Sequence, residues 1–170
     1  MAKSQTKMDV TSLVQPEPRL ENGKPLLIAG LRGHLTSANW EGIPAQWQRF
    51  GSYLGKIPGE VGRAAYGLCF QVPNGIDYLS GVEVSGGSGL PSEFSLVSIP
   101  AQKYVIFPHH EHVSKLRSTL DAIWDKWLPA SGHEFAHPVV GAPGFFERYG
   151  EGFNPRTGMG DIEVWIPIRA

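Results

Sequence analysis

The alternation of hydrophobic and polar residues is most regular close to the end of the chain. Ile162, Val164, Ile166 and Ile168 alternate there with Asp161, Glu163, Trp165 and Pro167. A period of two predicts a β-strand with one aliphatic face for the core and a second face that carries Glu163 and Trp165. Side chains two positions apart on a strand point the same way, about 7 Å from each other. This pairing of a carboxylate with an indole suits a cation that has an apolar body.

Two other stretches have the periodicity of helices. In the first, Ile43, Trp47, Phe50 and Leu54 recur at spacings of four, three and four, with Pro44 in the first turn. In the second, Val113, Leu116, Leu120, Ile123 and Trp127 recur at alternating spacings of three and four, and Pro129 is expected to end the helix. Each set forms one apolar face, so both helices are predicted to pack against a sheet.

The remaining apolar runs predict strands. They cover residues 25–35, 64–72 and 76–84, then 94–107 with an interruption near Pro100, and 145–149 ahead of the final strand. Asn74 and Gly75 between two of these runs are a strong hairpin signal. The order strand, helix, strand, strand therefore occurs twice, over residues 25–84 and 94–168.

This repeat predicts the fold class and the domain organisation. We expect a single α+β domain over residues 23–170, in which duplicated strand-helix-strand-strand units form a curved antiparallel sheet with both helices on one face. The other face is then free to line a ligand cleft. Residues 1–22 mix charged, hydroxyl-bearing and proline residues with few apolar ones, which predicts a flexible N-terminal segment.

Composition narrows the classes of function. The chain has 170 residues, of which 41% are hydrophobic, enough for one well-packed core. Its formal net charge is −1 and no basic run is present, which argues against autonomous binding to nucleic acid. The sequence has neither a membrane-length apolar stretch nor a signal-peptide pattern, so we expect a cytoplasmic protein without membrane contact. Cys69 lies in an apolar run, which favours a buried, unreactive thiol.

Several stretches of the chain resemble one family. They are residues 28–31, 43–50, 66–69, 77–84, 99–104 and 161–168. Together they make the chain similar, over nearly its whole length, to the GyrI-like or AraC-type effector-binding domains, which occur fused to DNA-binding modules in bacterial multidrug and stress regulators. The resemblance implies a ligand cleft on the pseudo-twofold axis, with a glutamate of the final strand among aromatic rings. Glu163 matches that position. No DNA-binding module accompanies the motifs, so we expect a freestanding member.

The candidate ligand-binding residues are Glu163, Trp165, Trp40, Tyr66, Phe146 and Tyr149. Burial of a carboxylate is costly without compensation, so an enclosed Glu163 needs a cation or strong donors. The alternatives are a solvated position on an edge strand and an internal hydrogen bond. Trp40 lies at a helix entrance, and the tyrosines and Phe146 lie on strands expected near the final one, where each alone is more typical of core.

No catalytic residue, metal site or cofactor is predicted. The chain has no nucleophile elbow and no phosphate-binding glycine loop. His109, His110 and His112 are close in sequence, but neighbouring side chains diverge on helices and strands alike, so we place them at the start of the second helix, where they cap and solvate it.

The sequence therefore predicts a non-enzymatic effector- or drug-binding domain for small apolar, cationic molecules. A transcription regulator is the kind of protein partner that the resemblance suggests, and direct contact with nucleic acid is not expected. Two alternatives stay open. One is hydrolysis of a small electrophile with Glu163 as general base, and the other is inhibition of a topoisomerase-like protein.

Overall fold

One curved antiparallel sheet and two helices make up the described part of the chain. The structure is a computed structural model and describes residues 17–36, 38–39 and 41–170. The eight strands are β1 (Arg19–Gly23), β2 (Leu26–Leu35), β3 (Glu60–Val72), β4 (Gly75–Val84), β5 (Ser95–Ile99), β6 (Gln102–His109), β7 (Phe145–Tyr149) and β8 (Ile162–Ile168). Helix α1 is Gly42–Gly51, and helix α2 spans residues 113–131. This is the predicted α+β fold class.

The strand order places the two repeats side by side. It runs β1-β6-β8-β7-β3-β4-β2-β5, and every neighbouring pair is antiparallel. The first repeat is β2-α1-β3-β4 and the second is β6-α2-β7-β8. The repeats therefore meet in the middle of the sheet, where β7 pairs with β3.

The sheet curls until its two ends approach one another. β5 forms one edge of the sheet, and β6 lies next to the opposite edge. Only Pro100 and Ala101 separate these two strands along the chain. Val97 of β5 and Ile106 of β6 belong to the same buried cluster on the concave face. The strand predicted over residues 94–107 is thus two strands, because Pro100 has no N–H to continue a ladder.

β3 and β4 form the predicted hairpin. Asn74 and Gly75 both have positive φ, at 64° and 139°. Asparagine and glycine tolerate this conformation better than other residues, and it matches the twist of the flanking strands.

Residues 19–22, which were predicted to belong to a flexible N-terminal segment, form part of β1 instead. Arg19 pairs with Ile106 and Gly23 with Gln102, so this strand extends the sheet beyond β6. Four of its five residues are exposed, and their polarity hides the strand from a hydrophobicity pattern. Residues 1–16 lie outside the described residues.

Both helices cover the convex face, as predicted. Phe50 of α1 packs in one cluster with Ala29 and Val82, and Ile123 of α2 packs in another with Ile162. Val82 and Ile162 lie on one face, because the registers connect them through paired residues of β3 and β7. Leu54 does not join α1. The helix ends at Gly51, and Leu54 is 46% exposed.

Helix α2 continues past the proline that was expected to end it. It begins as a 3₁₀ turn (Val113–Lys115), continues as α-helix (Leu116–Ala122), widens to a π-helix (Ile123–Trp127) and closes with Leu128–Ser131. A π-turn shifts the hydrogen-bond register, which accommodates Pro129 without an N–H. Gly132, in the left-handed conformation at φ 82°, follows the last turn. No helix in the described ranges is long and apolar enough to cross a membrane.

Candidate functional site

A cleft of about 530 Å³ opens on the concave face of the sheet. Its aromatic lining consists of Tyr66, Tyr104, Phe146 and Trp165. Its charged lining consists of Arg19, Glu21, Lys24, Glu83, Arg148 and Glu163. Four of the six predicted ligand-binding residues therefore meet here, namely Glu163, Trp165, Tyr66 and Phe146.

The aromatic rings of the cleft form a continuous wall. Phe146 and Trp165 are register partners on β7 and β8, and their rings stack at 5.3 Å with an interplanar angle of 21°. Tyr104 meets both of these rings edge-on, at 5.5 and 5.1 Å, and Tyr66 meets Phe146 at 5.6 Å. Such contacts hold the rings rigidly and bury most of them: Tyr66, Tyr104 and Phe146 are 5%, 0% and 1% exposed, and Trp165 is the half-buried ring that a ligand can reach.

Glu163 is already compensated by two donors of the protein. Arg19 Nη1 donates to Glu163 Oε2 at 2.9 Å, and Trp165 Nε1 donates to Oε1 at 3.0 Å. The hydrogen bond to Glu163 is the main cause that raises the pKa of Arg19. The predicted carboxylate–indole pair thus exists as a direct hydrogen bond. The Arg19 contact was not predicted, because it depends on β1.

One of the predicted residues, Tyr149, does not join this group. Tyr149 lies on the convex face, 8% exposed, because three positions separate it from Phe146 and side chains alternate along a strand. Its assignment to the concave cleft is therefore corrected. Trp40 lies outside the described residues.

A second carboxylate, Glu147, lies on the convex face and is only 7% exposed. Its Oε1 accepts hydrogen bonds from the hydroxyls of Tyr78 and Tyr149, both at 2.7 Å. Trp47 Nε1 of helix α1 donates to the Tyr78 hydroxyl at 3.0 Å. The Trp47 ring meets the rings of Tyr78 and Tyr149 edge-on, at 6.3 and 5.3 Å. This carboxylate is thus enclosed by aromatic side chains.

Burial sets the protonation of this cluster. Desolvation raises the pKa of Glu147 above its usual 4.5, although the hydrogen bonds from Tyr149 and Tyr78 act in the opposite direction. Desolvation and the charge of Glu147 raise the pKa values of Tyr78 and Tyr149 well above 10.0, so both phenols keep their protons and donate. Desolvation also raises the pKa of the buried Cys69 thiol well above 9.0, as expected for an unreactive cysteine.

Sequence reasoning missed Glu147, because its signal depends on the central position of β7 in the sheet. In β7, Phe145, Glu147 and Tyr149 alternate with Phe146 and Arg148. One of the two faces must carry a charge into the protein, because a central strand of this sheet is covered on both sides. A charged residue on such a strand is a functional candidate by that fact alone.

The histidines at the start of α2 have structural roles. His112 caps the helix by accepting the N–H of Ser114. His109 is 3% exposed and contacts the Thr119 hydroxyl and the carbonyl of His112 through its two ring nitrogens, so this residue is buried where we expected it solvated. No three potential metal ligands converge anywhere in the described ranges.

Comparison with known proteins identifies related sequences. The model of the GyrI-like small molecule binding domain matches residues 16–169. The transcriptional regulator BrlR of Pseudomonas aeruginosa is 32% identical over 135 residues, which cover 78% of this chain and 48% of the regulator. The chain thus spans about half the length of that relative.

Solved structures share the fold at low sequence identity. SAV2435 bound to tetraphenylphosphonium has a TM-score of 0.67 and 18% identity, covering 91% of this chain and 94% of its own. The C-terminal domain of EcmrR has a TM-score of 0.63 and 15% identity, with 90% and 97% covered. A hydrolase from Listeria innocua has a TM-score of 0.55 and 11% identity, with 92% and 93% covered.

Proposed function

The chain belongs to the family of GyrI-like small molecule binding domains, and we propose that it binds a lipophilic cation on the convex face, with Glu147 as the counter-charge. One observation carries the proposal. Glu147 is buried among aromatic rings and makes no ion pair with any residue that the structure describes. A cationic ligand supplies the missing charge.

The energetics favour a cation at this position. An ionised carboxylate loses several kcal/mol of hydration free energy on burial, and two phenol hydrogen bonds offset only part of that loss. A bound cation provides the remaining compensation. Contacts between a cation and the faces of Trp47, Tyr78 or Tyr149 add about 0.5–2 kcal/mol each.

The position of Glu147 also suits a site that both repeats share. Its register partner is Gly67 of β3, at the junction of the two repeats, and helix α1 reaches it through Trp47. Because Glu147 is nearly inaccessible, a ligand has to displace aromatic side chains or part of α1 to reach it. The ligand of the SAV2435 relative, tetraphenylphosphonium, is a cation with an apolar body and supports this choice of chemistry.

The role of Glu163 as the counter-charge for a cationic ligand stays a prediction. The titration that tests Glu147 tests this role as well. Arg19 already pairs with it at 2.9 Å, so a ligand cation there competes with a cation of the protein. Glu147→Gln and Glu163→Gln each remove one charge and keep the shape, so they form a matched pair.

The test is a calorimetric titration of wild type and both variants with tetraphenylphosphonium. Loss of a charge-assisted interaction, about 1.5–3 kcal/mol, lowers affinity on the order of ten- to a hundredfold. We expect this loss in Glu147→Gln and less than about twofold in Glu163→Gln. Triphenylphosphine oxide, which is neutral, should bind both variants alike. The opposite ranking of the two variants would move the cation site to the concave cleft.

Hydrolysis of a small electrophile is a second candidate, favoured by the raised pKa of Glu147. A desolvated carboxylate with a raised pKa is a stronger base, and the hydroxyls of Tyr78 and Tyr149 lie beside it. Release of product from an epoxide or a strained-ring substrate, abolished in Glu147→Gln, tests this activity. Inhibition of a topoisomerase-like protein stays a prediction.

A further inference from the structure

Arg148 is a cation of the concave cleft that forms no ion pair with any described residue. It lies on β7, directly opposite Glu163 of β8 on one side and Tyr66 of β3 on the other. Its guanidinium nevertheless has no ion pair or hydrogen bond with any residue in the described ranges, because Glu163 turns to Arg19 instead. Arginine presents five donors in a fixed plane, so an unpaired guanidinium at a cleft wall is prepared to receive an acceptor.

The carboxylates of the same cleft are all satisfied. Glu163 accepts from Arg19 at 2.9 Å, and Glu21 pairs with the same arginine at 3.4 Å. Glu83 pairs with Lys24, also at 3.4 Å. Among the charged residues that line the cleft, Arg148 is therefore the one left unpaired within the described ranges. The cleft lining has three basic and three acidic side chains, so the unpaired charge is local to Arg148, and that position fits an anionic group rather than a cation.

The walls of the cleft define the rest of the ligand. The stacked rings of Phe146 and Trp165 flank the strand position of Arg148, and Tyr66 lies beside it. A volume of about 530 Å³ is in the range of small-molecule sites. Among these rings Trp165 is the one that is partly exposed, and a flat ring stacked on its indole buries the most area.

We infer that the concave cleft is a second binding site, for a flat aromatic compound that carries a carboxylate or sulfonate, and that Arg148 receives this anionic group. The site lies on the opposite face of the sheet from Glu147. It does not depend on the proposed function of that residue. Planar bidentate pairing with the guanidinium supplies orientation, and stacking on the half-buried Trp165 supplies the apolar contact.

Two dyes with the same rings separate charge from shape. Anilinonaphthalene sulfonate carries the anionic group, and N-phenylnaphthylamine is its neutral counterpart. Arg148→Gln should lower the affinity for the sulfonate about ten- to a hundredfold and leave the neutral dye within about twofold. Arg148→Lys keeps the charge but lacks the planar bidentate geometry of the guanidinium, so its loss of affinity for the sulfonate should be intermediate. The matched control is Arg63→Gln on β3, because Arg63 is 78% exposed and does not line the cleft.

Equal losses for both dyes in Arg148→Gln would overturn the inference, because Arg148 would then merely support the aromatic walls. Unchanged affinity for the sulfonate would overturn it as well.

Testing each variant with the other site's probe distinguishes the concave site from the convex site. Glu147→Gln should bind the sulfonate like wild type, and Arg148→Gln should bind tetraphenylphosphonium like wild type. Mutual displacement of the two probes with a shared loss in Glu147→Gln would mean a single site and would end the proposal of a second one.

Discussion

Gly67 of β3 lies directly opposite Glu147 of β7, and a β-carbon at Gly67 would come within 2.7 Å of Glu147 Oε1. The same β-carbon would also collide with the Tyr78 hydroxyl. The absence of a side chain at this position therefore makes the space in which the carboxylate and the phenol meet. Glycine weakens a strand by about 0.5–1 kcal/mol. Its presence in the middle of the sheet is explained by the space that Glu147 and Tyr78 need.

Substitution of Gly67 tests this packing. Gly67→Ala should lower the free energy of unfolding by about 1–3 kcal/mol, because the added methyl overpacks a region bounded by Glu147 and Tyr78. Urea denaturation measures the change. Gly51→Ala is the control, since a β-carbon at Gly51 meets nothing within 4 Å and alanine favours the helix. A Gly67→Ala protein as stable as wild type would show that the carboxylate is not confined there.

Periodicity predicted the elements that carry their own pattern. The Asn74-Gly75 hairpin, both helical faces and the final strand with Glu163 beside Trp165 follow from residues close in sequence. These elements are determined by turn residues and by the periodicity of one buried face, and both can be recognised in a single sequence.

What a single sequence hides is contact between distant segments. β1 is polar and forms a strand only because β6, far along the chain, offers a free edge. The Arg19–Glu163 pair depends on it. Tyr149 was grouped with Phe146 although they lie an odd number of positions apart, which alternation alone could have excluded. Glu147 looks like any solvated acid until both faces of β7 are known to be covered.

The stability of the protein should depend on pH through Glu147. Its pKa is raised in the folded state, so between its usual 4.5 and the folded value the native protein holds a proton that the unfolded chain has lost. The free energy of unfolding therefore falls as pH rises through that window. Glu147→Gln should lack this decline and gain stability relative to wild type near neutral pH.

Urea titrations of both proteins, below pH 4.5 and at neutral pH, measure this difference. Asp77 does not interfere. Burial alone would raise its pKa, but hydrogen bonds from His34 and Arg32 outweigh that effect and lower it, so its contribution appears below 3.8 and is common to both proteins. Parallel pH curves for wild type and Glu147→Gln would contradict the assignment.

The Arg19–Glu163 pair should couple β1 to β8 weakly but measurably. A double-mutant cycle of Arg19→Gln and Glu163→Gln should give a coupling free energy of about 0.2–1 kcal/mol that decreases with added salt. The pair Arg63–Glu151, at 3.3 Å with side chains 78% and 71% exposed, is the control and should give less. Zero coupling for Arg19 and Glu163 would mean that β1 is held by its backbone ladder alone.

The isolated chain should not bind duplex DNA. Its formal net charge is −1, and the described surface offers no basic stripe that would release counter-ions from phosphates. Gel-shift assays at low and physiological salt check this. A retarded band that weakens steeply with salt would refute the expectation.

The central claim is that the cation binds beside Glu147, and a crystal of the protein with tetraphenylarsonium tests it most directly. Arsenic scatters anomalously, so a single peak marks the position of the cation without reference to side-chain density. The account predicts that peak on the convex face, between Glu147 and helix α1, with the Trp47 ring moved from its contact with Tyr149. A peak in the concave cleft beside Glu163 and Trp165, with Arg19 displaced, would contradict it.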